Sequence, residues 1–130
     1  VTAAADDGAV VHRYTTETEA YAVAAKTGKP VLIDMWAEWC EACKKLDVST
    51  FVDPMVVQVL TEQWVTLKLD LTEDTAATDA VQTRYGLQSL PTLVLMPASG
   101  DLAGRELITG YVNSGQLLEH LARFRQKQAD

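Results

Sequence analysis

The sequence predicts an α/β domain with a central mixed sheet, in the order β-α-β-α-β-α-β-β-α, flanked by helices on both faces. Three observations predict it. Short apolar, β-branched runs alternate along the chain with segments that open on a capping residue and keep helical spacing. Glycine or proline punctuates the joins, at Gly28, Pro30, Pro54 and Gly86. At 130 residues and 48% apolar composition, the chain has the size of one domain that buries a core without covalent staples.

Residues 1–9, small and acidic with no periodicity, read as a loose tail or linker remnant, and residues 10–130 as the folded domain. "VVHRY" (10–14) is expected to form a short first strand. Thr16 followed by Glu19 has the form of a capping box, and Ala20, Tyr21, Ala24 and Ala25 continue a helix until Gly28. "PVLIDMWA" (30–37) has the apolar run of a strand buried on both faces. A helix should follow from about Cys40 to Thr50, bend near Phe51, and restart at Asp53-Pro54, a cap followed by proline at the first helical position.

"WVTLKLDL" (64–71) alternates as a strand, 74–86 reads as a helix closed by Gly86, and "PTLVLMP" (91–97) as another buried strand. After the turn "ASGD", "GRELITGYV" fits an antiparallel return strand. Asn113 then caps a closing helix with an apolar stripe of Leu117, Leu118, Leu121 and Phe124. The alternation implies a parallel sheet core, with an antiparallel edge added by the final hairpin.

The net charge of −7 argues against nucleic acid or an anionic membrane surface as partner, since both need clustered Lys and Arg. Protein thiols, protein disulfides or small thiols fit better. "LPTLVLMPA" (90–98) is far short of the roughly 20 residues of a membrane helix, so no direct membrane insertion is expected. The start of the chain lacks a secretory signal, which leaves a cytosolic protein, a processed one, or a piece of a longer one.

Both cysteines lie in "VLIDMWAEWCEACKKLD" (31–47), at Cys40 and Cys43. At a spacing of i and i+3 in a helix their α-carbons fall about 5 to 6 Å apart, within disulfide range. A bond closing so small a loop would stabilise the fold by only roughly 2 kcal/mol, a poor staple. The remaining metal ligands of the usual kind, His12 and His120, stand near opposite ends at no finger-like spacing, which disfavours zinc; no metal and no cofactor beyond a redox-active disulfide is expected. A C-x-x-C pair opening a helix directly after a buried strand suits thiol-disulfide exchange, with Cys40 the attacking and Cys43 the resolving thiol.

"VLIDMWAEWCEACK" and "YGLQSLPTLVLM" resemble the active-site and cis-proline segments of the thioredoxin superfamily, and the resemblance runs over about residues 11–125. Within it, "WCEACKKLDVSTFVDPMVVQVL" and "LDLTEDTAATDAVQTRYGLQSLPT" are most similar to the C-terminal periplasmic domains of DsbD-type membrane thiol-disulfide interchange proteins. The resemblance implies a reductase that takes electrons from a membrane-embedded cysteine pair and passes them to an immunoglobulin-like periplasmic redox domain. It implies periplasmic localisation as a domain of an inner-membrane protein, with the cytoplasm as the alternative. It also assigns Cys40 and Cys43 as the redox pair, Asp34 as a buried acid, Asp47 as a second acid where related domains usually have Glu, and Pro91 as the cis-proline. Trp39, Glu41, Ala42, Leu90 and Pro91 are then the substrate-docking residues. Trp36 fits either docking or core packing.

Asp34 has no evident basic neighbour in the sequence, so burial should raise its pKa and fit it to accept a proton from Cys43. Glu38, Glu41, Asp34 and Asp47 outnumber the bases around the pair. That surplus is expected to hold Cys40 as a thiol and to make the domain a donor of electrons. Two other readings stand beside this one: a free-standing thioredoxin-like reductase, for example in cytochrome c maturation, and a binding module that does not catalyse.

Overall fold

A computed structural model describes residues 10–129; the expected tail at 1–9 lies outside the described residues. The elements are α1 (Glu17–Thr27), β1 (Val31–Trp36), α2 (Glu41–Val48), a 3-10 turn (Thr50–Val52), α3 (Pro54–Gln63), β2 (Val65–Asp70), α4 (Ala76–Tyr85), β3 (Thr92–Met96), a second 3-10 turn (Leu102–Gly104), β4 (Glu106–Thr109) and α5 (Ser114–Ala129).

Local chemistry accounts for the boundaries. Thr16 Oγ1 accepts the Glu19 N–H to open α1, and Gly28 closes it at φ +75°, a left-handed conformation that costs glycine nothing. Asp53 caps α3 through the N–H groups of Met55 and Val56, with Pro54 at its first position. Gly86 ends α4 at φ +76°. Asn113 and Gln116 exchange side-chain to backbone bonds at the start of α5, at 2.8 and 2.9 Å.

The sheet is four-stranded in the order β2-β1-β3-β4. Two expectations need correction. "VVHRY" forms no strand: Tyr14 alone bridges to Leu67, through Tyr14 N–H to Thr66 O (2.8 Å) and Lys68 N–H to Tyr14 O (2.9 Å). Thr16 caps α1 two residues later and turns the chain away before a ladder can extend.

The parallel core is likewise one pair only. β1 and β2 are parallel, whereas β3 is antiparallel to both β1 and β4. β2 leaves the sheet opposite Trp36 and β3 re-enters opposite Met35. A chain that returns at the end it left must run the other way. Pro91, just before β3, thereby comes to the end of the sheet where β1 runs into the cysteines.

Strand alternation divides the core. Leu32, Leu93 and Leu95 pack with Leu46, Phe51, Leu60, Leu117, Leu121 and Phe124 on one face. Ile33, Met35, Val94 and Met96 pack with Ala20, Ala24 and Tyr85 on the other. Asp34 has the parity of Leu32, so it enters the face covered by α2, the helix that Cys40 caps and that holds Cys43.

Candidate redox-active site

β1 delivers the chain to Ala37–Trp39, and Cys40 is the N-cap of α2 rather than a residue within it, at φ −96° and ψ 104°. Its Sγ accepts the N–H of Cys43 at 3.1 Å. The two cysteines are joined as a disulfide with their α-carbons 5.2 Å apart, inside the range expected from the spacing. Cys40 is the more exposed, at 6% against 1% for Cys43. Cys43 Sγ lies 3.9 Å from the carbonyl oxygen of Met35. In the reduced protein a thiolate on Cys40 would keep the Cys43 N–H and the positive end of α2, both of which favour its charge.

The turn before Cys40 is held from the segment after β2, which sequence reasoning missed. Thr72 Oγ1 accepts the Glu38 N–H at 2.8 Å, and the Thr72 carbonyl accepts Trp39 Nε1–H at 3.3 Å. Thr72 is itself fixed by its N–H to Asp70 Oδ1 at 2.9 Å. The only signal was the Asp-x-Thr spacing of a side-chain-closed turn in "DLTED". Pinned by its nitrogen, the Trp39 side chain is still 63% exposed beside the disulfide.

Beneath α2, Asp34 is buried to 1% exposure. The expectation that it lacks a basic neighbour is wrong. Arg13, 21 positions away, reaches Asp34 Oδ2 at 3.3 Å and Asp47 Oδ1 at 3.1 Å with the same nitrogen, and its guanidinium stacks over Phe51 at 4.6 Å. No spacing rule links residues so far apart; the bridge of Tyr14 to β2 brings Arg13 there. Burial nevertheless dominates and pushes the Asp34 carboxyl up to about 6, with Arg13 drawing it down, Asp47 raising it and Lys68 drawing it down. Asp34 Oδ1 is buried with no hydrogen-bond partner among the described residues.

Asp47 comes into the same cluster. Its Oδ2 accepts Trp36 Nε1–H at 3.0 Å, and Lys68 Nζ lies 4.0 Å from the centre of the Trp36 ring on the strand beside it. Trp36 is thus engaged in positioning an acid, a use the sequence left open between docking and packing. The acid surplus also shrinks: Glu38 is paired with Lys44 at 2.9 Å, and Arg13 serves both aspartates. Glu41 remains an exposed acid at the start of α2.

Leu90 and Ala42 pack with Trp36 against Ala37, Cys40 and Cys43. The Leu90–Pro91 peptide bond is cis, and Pro91 is buried, its carbonyl taking the Gly110 N–H at 2.9 Å. His12 sits exposed, edge-on to Tyr14 at 4.7 Å. Among the described residues no three His, Cys, Asp or Glu side chains come together as a metal site requires, and no helix is long and apolar enough to cross a membrane. The arrangement has the parts of dithiol/disulfide exchange: an outer sulfur at the helix N-terminus, an inner one, and a carboxyl that burial pushes up to about 6.

A model of the thioredoxin-like domain family matches residues 18–125. The chain is 36% identical over 98 residues, 75% of its length, to the thiol:disulfide interchange protein DsbD of Tatumella citrea, and spans 17% of that protein. Among solved structures, a thioredoxin from Thermus thermophilus superposes with a TM-score of 0.74 at 24% identity, over 89% of this chain and 88% of that one. The oxidised C-terminal domain of DsbD from Neisseria meningitidis superposes with a TM-score of 0.69 at 24% identity, over 86% of this chain and 98% of that one. Both share the fold.

Proposed function

We propose that this chain, which belongs to the thioredoxin-like domain family, is a thiol-disulfide reductase domain relaying two electrons through Cys40 and Cys43. The observation that carries the reading is the Cys40–Cys43 disulfide at the N-terminus of α2, which packs on the face of the sheet where Asp34 is buried.

In the donating direction the reduced pair meets a partner disulfide. The Cys40 thiolate attacks one partner sulfur, a Cys40–partner disulfide forms, the partner's own disulfide breaks, and its leaving sulfur takes up a proton. Asp34 accepts the Cys43 proton, directly or through water. The Cys43 thiolate then attacks Cys40 Sγ: the Cys40–Cys43 disulfide forms, the Cys40–partner disulfide breaks, and the partner sulfur released from Cys40 is protonated in turn. The partner leaves as a dithiol with two electrons, and the chain holds the disulfide found in this structure.

Trp39, Glu41, Ala42, Leu90 and Pro91 form the docking surface around Cys40, with Trp39 its most exposed apolar part. The similarity to DsbD proteins supports a membrane-embedded cysteine pair as electron source, an immunoglobulin-like periplasmic redox domain as acceptor, and a periplasmic location.

Two measurements test this. Equilibration against a thiol redox buffer should give a reversible two-electron couple nearer about −270 mV than about −120 mV, the reducing end of the range for such pairs. With Cys43→Ser, the partner should stay trapped on Cys40 as a mixed disulfide. A trapped immunoglobulin-like domain supports the relay, a cytosolic partner overturns the compartment, and the lack of any reversible couple overturns the function.

A further inference from the structure

We infer that Arg13 is a positioning residue for exchange: by holding Asp34 and Asp47 in one ion-paired cluster, it keeps Asp34 able to accept the Cys43 proton at neutral pH. The inference rests on the base role proposed for Asp34. It goes beyond that role by assigning the group that tunes it.

The geometry is specific. One guanidinium nitrogen contacts Asp34 Oδ2 and Asp47 Oδ1, and the side chain is only 18% exposed. Three anchors fix it there: the Phe51 ring under the guanidinium, the Tyr14 bridge to β2 one residue on, and Val11 buried in the core two residues back. Asp47 is held from its other oxygen by Trp36 Nε1. A fully buried carboxylate and a partly exposed one thus share the Arg13 guanidinium between them.

The groups facing Asp34 can be named element by element. Arg13 comes from the N-terminal segment, Asp47 from α2, and Lys68 from β2, where it is the register partner of Asp34. Across on β3 stands Leu93, and the 3-10 turn contributes Phe51 beneath the Arg13 guanidinium; neither titrates. Lys68 also lies against the Trp36 ring, so Arg13 is the cation in direct contact with the carboxyl. Without it, burial and the Asp47 charge would act on Asp34 against Lys68 alone. Both push protons onto the carboxyl, and a carboxyl already protonated cannot take the proton of Cys43.

The test reads Asp34 directly and the reaction separately. The Asp34 side-chain carboxyl is titrated by carbon NMR in the oxidised full chain, for the wild type, Arg13→Gln, Arg13→Lys and Asp47→Asn. In parallel, the rate of mixed-disulfide resolution is followed from pH 5 to 9 in single turnovers. Arg13→Gln should move the carboxyl midpoint upward by about one unit or more, slow resolution about tenfold at pH 6, and converge with the wild type at high pH. Arg13→Lys should restore part of the shift. Asp47→Asn should move the midpoint the opposite way, a pattern that loss of packing would not produce.

An Asp34 midpoint unmoved in Arg13→Gln, with the protein folded, overturns the inference. A midpoint that moves while the resolution profile does not leaves Arg13 coupled to Asp34 and overturns the base role of Asp34 instead. Should Arg13→Gln fail to fold, the opposite shifts of Arg13→Lys and Asp47→Asn decide, and shifts of the same sign overturn the inference.

Discussion

Two polar clusters flank the sheet, one on each face, and they differ in how completely their polar atoms are satisfied. Under α2, Arg13, Asp34, Asp47 and Trp36 share their contacts, yet Asp34 Oδ1 is buried without a hydrogen-bond partner among the described residues. Between α1 and α4, Tyr21 and Tyr85 share a hydrogen bond of 2.8 Å, and the Tyr85 hydroxyl and Arg84 both donate to Glu17 at 2.5 Å. Burial and the Glu17 carboxylate drive the Tyr85 phenol far above its ordinary range, so its proton stays in place at any working pH. Full satisfaction fixes a proton. The incompletely satisfied acid, held near 6, can exchange one.

The comparison can be broken first at the sulfur it serves. Cys40→Ala should lower disulfide reduction by at least about 10³-fold, since the thiol that remains, Cys43, is buried to 1% exposure and out of a partner's reach. Far-UV circular dichroism should show the fold kept, because the small Cys40–Cys43 loop contributes little to stability. Residual turnover within tenfold of wild type would mean that another group does the chemistry.

Asp34→Asn separates stability from activity within the first cluster. The native carboxyl titrates near 6 and the unfolded one near 3.8, so between these values the native state holds more protons. Stability therefore falls as pH rises through that window. At about 1.4 kcal/mol per unit of displacement, the ionised acid costs the wild type roughly 2–3 kcal/mol above pH 6. The Asn variant should be more stable by up to that amount at pH 7–8 and equal to wild type below about pH 4, by urea unfolding. Mixed-disulfide resolution at neutral pH should slow by about 10²-fold. A variant that is less stable at pH 8 would show that Asp34 is a structural ion pair like Glu17 with Arg84.

Much of this was legible in the sequence because the signals are local. Thr16, Asp53, Asn113, Gly28 and Gly86 each act on residues within a turn of themselves, and they marked the helices closely. Cys40 and Cys43 announced the site by spacing and context, and parity along β1 turned Asp34 inward. What the sequence hid was long-range. Arg13 and Thr72 reach the site only through the Tyr14 bridge and the return of β2, so the acids looked unpaired when they are not. The same blindness made β3 look parallel, since strand direction depends on which end of the sheet the chain re-enters.

Tyr85→Phe probes the second cluster. It removes a hydroxyl that joins Tyr21 to Glu17 in a side chain 1% exposed, and should cost about 1–2 kcal/mol by urea unfolding. The pH profile of disulfide exchange should not move. A displaced profile would show that the two faces are coupled through the sheet, and the clusters would then no longer be separable.

Trp39 sharpens the comparison from outside both clusters. Its ring is mostly in solvent, and its hydrogen bond to Thr72 O, at 3.3 Å, is long and exposed. Trp39→Ala should change stability by less than about 0.5 kcal/mol, as expected of an exposed position. It should also leave the Asp34 midpoint in place, since the charged groups that act on Asp34 are Arg13, Asp47 and Lys68. A docking residue is felt only when a partner is large enough to cover it. Reduction of a small-molecule disulfide should therefore stay within about twofold of wild type, while KM for a folded protein disulfide rises several-fold with kcat little changed. Equal losses on both substrates would move Trp39 from docking to the chemistry of Cys40, and the exposed ring would then have to be counted with the first cluster.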